Sequence, residues 1–175
     1  MGLDLTGYRQ VTATLTTVDW DDAEAIAADR GWVNEYGEAR TAYVNPHFPG
    51  SAEVEGGPAL IIGPHAGVEC CRAGSYGGYN QRRAVLSRTL LGAPPEDVWA
   101  DPSKFDHPIV HLVNFSDSEG VIGPKRCAAI AGVFADPEAM EKFIAAAGDP
   151  YAKGWWDDMR RVFEAGADDG LVSFH

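Results

Sequence analysis

Positive charge is scarce in this sequence: 14 Lys and Arg stand against 26 Asp and Glu, for a formal net charge of -12. A field of that sign repels phosphate backbones and anionic lipid surfaces, so neither nucleic acid nor membrane is an expected partner. Cysteine is scarce too. Cys70, Cys71 and Cys127 are odd in number, form no C-x-x-C and have no histidine at zinc-ligand spacing, which argues against a disulfide framework and a zinc site. Buried free thiols are the expectation. No apolar run approaches the roughly 20 residues that a membrane helix needs, and the start "MGLDLTGYRQ" lacks the basic-then-apolar layout of a signal peptide. A cytoplasmic protein is expected. Internal repeats and low-complexity linkers are also missing, so residues 1–175 read as a single domain.

What remains is the composition of a folded globular chain, 45% hydrophobic and 23% charged. "VTATLTTV" (residues 11–18) reads as a strand, and a short helix follows, capped by Asp19 or Asp21 and closed by Gly31. Residues 32–45 suggest a hairpin turning near Gly37, with Trp32, Tyr36, Tyr43 and Val44 as strand residues. "PHFPGSAEVEGGP" after it is a loop. "ALII", "VECCRA" and above all "HPIVHLVNF" read as strands, and residues 79–91 as a helix with Tyr79, Leu86 and Leu90 on its apolar stripe. Pro124, Pro137 and Pro150 mark helix starts, the last two behind Asp136 and Asp149, and Asp157 is spaced to pair with Arg161. "LVSFH" ends the sequence as a strand. The pattern predicts an α+β domain: a mostly antiparallel sheet with helices on one face and the C-terminal strand returning to it, which would bring His175 near the middle of the structure.

Chemistry concentrates in two runs. "GSYGGYNQRR" (residues 74–83) sets glycines beside Ser75, Tyr76 and Tyr79, then Arg82 and Arg83 at a helix start whose dipole disfavours cations. Something negative is therefore expected nearby, either an internal carboxylate or a ligand phosphate. The run matches neither the P-loop nor the dinucleotide turn. "NFSDSEGVIGP" (residues 114–124) crowds Ser116, Asp117, Ser118 and Glu119 into one loop, where Asp117 and Glu119 suit acid–base work or a hard cation, or else answer Arg82 and Arg83. His65, just ahead of the glycine-rich run, is a candidate base. His47, His107, His111 and His175 show no metal-ligand spacing, so no metal site is expected, and no cofactor is indicated. Nucleophilic catalysis through Cys70 or Cys71 is not expected, because a strand buries its thiols.

Together the "MGLD" start, the two runs and the "FH" end resemble a family of small uncharacterised proteins of tailed bacteriophages and bacteria. The sequence departs from it at Gln81 and Ser118, where Trp and Cys are expected, so neither position is implied to be essential. No activity is known for that family. The resemblance implies a phage or prophage accessory protein inside a bacterial cell. The leading expectation is a binding protein for a small anionic, nucleotide-derived ligand, held by Ser75, Tyr76, Tyr79, Arg82, Arg83, Asp117, Glu119 and His65. A hydrolase using Asp117, Glu119 and His65 is one alternative, and an acidic module that engages a host protein is another.

Overall fold

A computed structural model describes residues 2–17, 19–45, 49–54, 57–115 and 120–175. His47, Ser116, Asp117, Ser118 and Glu119 lie outside the described residues. The fold is α+β, as the sequence pattern predicts. Four strands form one antiparallel sheet in the order β5 (Gly67–Ser75), β1 (Gly2–Arg9), β7 (Leu171–Phe174), β6 (Gly120–Ile122). The last strand in sequence is therefore an inner strand of the sheet. A second antiparallel sheet, not foreseen from the sequence, has the order β2 (Thr14–Thr17), β4 (Ala59–Ile62), β3 (Thr41–Tyr43).

Strand alternation divides the larger sheet into two faces. Leu3, Leu5, Cys71, Ala73, Val172 and Phe174 enter the main core, which is completed by the helices. These are α2 (Tyr76–Leu86, running on into a π-helical turn over Ser87–Leu91), α3 (Pro95–Ala100), α4 (Val110–Asn114), α5 (Pro124–Ala135), α6 (Pro137–Ala147) and α7 (Ala152–Ala167). Helix α1 (Trp20–Asp29) packs instead through Ala23 and Ala27 on Ala59 and Ile61 of the smaller sheet. On the other face of the larger sheet, Val121 and Leu171 meet Ala42, Val44, Leu60 and Ile62, so the two sheets share a small apolar core.

Punctuation is largely as read. Asp19 caps α1 by accepting from Asp21 N, Asp136 caps α6 by accepting from Glu138 N, and Gly31 and Gly148 take positive φ just past helix ends. The turn near Gly37 is present, with Asn34 Oδ1 accepting from Tyr36 N and Glu38 N, but only the Val33–Ala39 bridge precedes β3, and Tyr36 is exposed at the tip. Helix α7 starts at Ala152, beyond Pro150, and Arg161 pairs with Asp158 while Lys153 takes Asp157.

One element differs in kind. The segment "HPIVHLVNF", expected as a strand, is mostly helix α4. A run that is apolar at nearly every position has no period to separate a buried strand from a buried helix turn. Donors arriving from elsewhere satisfy its last carbonyls: Tyr79 Oη and Arg83 donate to Leu112 O and Val113 O, and Trp99 Nε1 donates to Val113 O at 3.0 Å. The unpaired carbonyls of a helix end need such partners when buried.

Candidate functional site

Strand β5 passes into α2 at Gly74, whose φ of +126° an L side chain rarely adopts, and at Ser75, the N-cap, whose Oγ accepts from Gly78 N at 3.1 Å. The rest of "GSYGGYNQRR" follows from that start. Tyr79 is fully buried and Tyr76 packs against the main core. Arg82 donates to Asp149 Oδ2 at 2.9 Å and to Ala73 O at 3.3 Å, with its guanidinium 5.5 Å from the Trp155 ring. The Tyr151 N–H on the same carboxylate, followed by this contact with Arg82, holds the Asp149 carboxyl below its ordinary range. The counter-charge found for Arg82 is thus Asp149.

Arg83 is 2% exposed, on the same buried face as Tyr79 and Leu86. It donates to Val113 O and to Asn80 Oδ1, and its guanidinium lies 5.5 Å from the Tyr79 ring and 5.2 Å from the Trp99 ring. A cation at the carbonyl end of α4 suits that end of the helix.

His65 stands apart. It precedes β5, stacks edge-on against Tyr8 at 5.0 Å and turns Nδ1 to Gly63 O, whereas Ser75 ends the strand. At roughly 3.3 Å per residue the strand separates the two regions by about 25 Å. Ser75, Tyr76, Tyr79, Arg82 and Arg83 therefore belong to one packed corner and His65 to the opposite end of the sheet. Asp117 and Glu119 lie outside the described residues.

Open space gathers elsewhere. A cleft of about 650 Å³ is bounded by the 3₁₀ turn Pro49–Ser51, by residues 102–108, by α4 and by the first turns of α5. Gly50, Ser51, Glu53, Phe105, Asp106, His107, His111, Lys125 and Arg126 contribute to its wall. Glu53, at a φ of +56°, sets its carboxylate on the start of α5, accepting from Lys125 N at 2.8 Å with Arg126 Nε 3.9 Å away. Such a carboxylate complements the positive end of the helix. Arg126 also donates to Gly50 O and to Nε2 of His111. Lys125 Nζ pairs with no carboxylate among the described residues.

The contacts of His111 fix its tautomer. Guanidinium is always a donor, so Nε2 facing Arg126 carries the lone pair, and the Nδ1 N–H donates to Ser51 Oγ at 3.0 Å. Ser51 and His111 are therefore not a nucleophile and its base, and Ser51 is only 1% exposed. Burial, reinforced by Arg126, pushes the His111 pKa down from 6.5 to about 4, and burial also lowers that of His107. Between those limits an unfolded His111 takes up a proton that the folded one refuses, so stability is complete above pH 6.5 and is lost as pH falls toward about 4. The melting temperature is expected to fall across that window. His111→Gln, which keeps an acceptor for Arg126 but does not titrate, should fall less. Parallel curves for the two proteins would exclude His111 as the source.

No family model, curated protein or solved structure matches this chain. Its chemistry is therefore read from its own geometry. Among the described residues no group of three or more His, Cys, Asp or Glu side chains could hold a metal ion, and no helix is long and apolar enough to cross a membrane. The sequence reading did not single out Ser51, Glu53, Lys125 or Arg126, and it weighed His107 and His111 as metal ligands without assigning them to a site. One signal was present: "PKR" sets two cations in the first turn of α5, the same anomaly that singled out Arg82 and Arg83.

The thiols also differ from expectation. Cys71 and Cys127 are buried, and burial pushes Cys71 up to about 12 and Cys127 higher still, but Cys70 is exposed. Adjacent residues of a strand point to opposite faces, so "VECCRA" sends one thiol into the core and the other out of it.

Proposed function

We propose that the protein binds a small anionic ligand in the cleft beside α5. The observation that carries this reading is the cleft itself: its wall brings the donors Lys125 and Arg126 together with the imidazoles of His107 and His111, beside the acids Glu53 and Asp106, around a space of about 650 Å³. That volume suits a small molecule. Lys125 and the N–H groups of Arg126 not used by Gly50 and His111 supply donors for phosphate or carboxylate. Phe105 offers a ring face for a base or other planar group. A nucleotide-derived compound combines the two. In the phage-type setting that the sequence resembles, such a protein would act in the bacterial cytoplasm by withholding a nucleotide-derived molecule or presenting it to a host partner.

Thermal shift against a panel of nucleotides, sugar phosphates and dicarboxylates provides the test. A ligand at about 100 times its Kd adds about 2.7 kcal/mol, or roughly 5–10 °C for a chain of this size. Lys125→Ala should leave the melting temperature of the free protein unchanged and weaken the ligand-induced shift. Absence of any stabilising compound, or a shift that Lys125→Ala and Arg126→Ala both leave intact, would rule the reading out.

A further inference from the structure

The register of the larger sheet sets Cys70, Thr6 and Ser173 side by side on β5, β1 and β7, because Thr6 pairs with both of the others. Paired residues share a face. It is the face turned away from the helices, since the next row, Cys71, Leu5 and Phe174, lies in the main core. His175 continues β7 opposite Asp4, to which it is joined by backbone hydrogen bonds of 2.8 and 3.0 Å, and its ring turns back along the same face. Nε2 of His175 lies 2.8 Å from Thr6 Oγ1, and Thr6 Oγ1 lies 3.6 Å from Cys70 Sγ. Thr6 is only 7% exposed, whereas Cys70 is open to solvent. His175 also lines a cleft of about 440 Å³ between the two sheets, together with Trp20, Tyr43 and Ser173.

An exposed thiol, a held hydroxyl and an imidazole thus stand in line, with the cleft beside the imidazole. We infer that Cys70 is a nucleophilic thiol that exchanges with small-molecule disulfides, with Thr6 relaying its proton to His175. The Cys70 S–H proton passes to Thr6 Oγ1 while the Thr6 hydroxyl proton passes to Nε2. The thiolate then attacks one sulfur of the disulfide. A new S–S bond forms at Cys70, the old one breaks, and the departing thiolate takes the electron pair and then the proton held by His175. One disulfide and one thiol give another disulfide and another thiol, so no outside oxidant is needed. Among the described residues, Asp4 and Arg72, paired with each other at 3.5 Å, are ionised neighbours on this face, and Tyr8, on which the Arg40 guanidinium also acts, lies in the adjoining rows. Cys71 points into the core and Cys127 is buried, so neither can resolve the product. The outcome is a stable mixed disulfide on Cys70, reversed by free thiol.

The test treats the native, folded protein at pH 7 with dithiobis(nitrobenzoate), following the released aromatic thiolate and mapping the adduct by peptide mass spectrometry. One equivalent should react fast, on Cys70, and Cys70→Ser should remove it. Thr6→Val and His175→Gln should each slow that phase about tenfold or more, and Thr6→Ser, which keeps the hydroxyl, should restore it. Restoration separates the relay from a merely structural threonine. If Thr6→Val does not fold, His175→Gln at the strand end decides. Either the lack of a fast equivalent on Cys70, or variants that react within about twofold of the parent, would overturn the inference.

Discussion

Replacing Gly7 by valine is expected to cost about 3 kcal/mol or more, a loss of roughly 6–12 °C in melting temperature. Gly7 lies in β1 between its two partner strands, on the face that α7 covers. A Cβ there would stand 2.3 Å from Val162 O and 3.0 Å from the Ala165 methyl, both on α7. The first of these is backbone and cannot swing aside, so the whole helix must lift. Helix α7 carries Trp155, Trp156, Met159, Val162 and Phe163 into the core, and lifting it loosens all of them. Gly132 is the control. It lies in the exposed part of α5 with nothing within 4 Å of its would-be Cβ, so Gly132→Ala should raise stability by roughly 0.5–1 kcal/mol. Thermal melts followed by circular dichroism measure both, and a Gly7→Val protein as stable as the parent would mean that α7 does not sit against β1 in solution.

Arg82 and Arg83 are neighbours in sequence, yet their substitutions should differ severalfold in cost. Arg83→Met keeps the length of the side chain but removes the buried guanidinium that spans Val113 O, Asn80 and the Tyr79 and Trp99 rings. Losing a buried guanidinium's hydrogen bond to the Val113 carbonyl, together with its contacts to two rings, costs about 3 kcal/mol, or roughly 6–12 °C. Arg82→Ala removes a pair whose side chains are 21% and 33% exposed, and about 1 kcal/mol, or roughly 2–4 °C, is expected. Equal losses in the two variants, measured by denaturant unfolding, would contradict the division of labour between a core cation and a corner ion pair.

Much of the fold is written locally. Asp136 with Pro137, Gly148, Asp19 with Gly31, and the β-branched and aromatic residues of "LVSFH" each announce an element within a few positions, and each element is present. The failures arise where the deciding partner is remote in sequence. Residues 110–114 are helical, and what satisfies the end of that helix comes from Tyr79, Arg83 and Trp99 on other elements. The exposure of Cys70 was legible, since strand alternation alone requires one of two adjacent thiols to leave the core. The cleft was not. Its walls come from residues 50–53, 102–111 and 125–129, which only tertiary packing brings together. The argument about cations at a helix start fits Lys125 and Arg126 of α5, but not the pair it was made for: α2 begins at Tyr76 and not at Tyr79, which puts Arg82 well inside the helix and Arg83 in its last turn, and the acid found for Arg82 is Asp149, from the start of the last helix region rather than from a nearby loop.

The place of β7 has a consequence for how the chain folds. Residue 5 pairs with residue 174, and β6 joins the sheet only through the same strand, so the middle of the sheet is a contact between the two ends of the sequence. Bringing such distant segments together sacrifices chain entropy before any contact repays it, and that puts the closing step on the slow side of folding. Until residues 171–174 dock, β1 has one unpaired edge and β6 has no partner in the sheet. The Gly7 contact with α7 is then a latch as well as a packing detail, because the helix that rests on β1 leads directly into the strand that must pair with it.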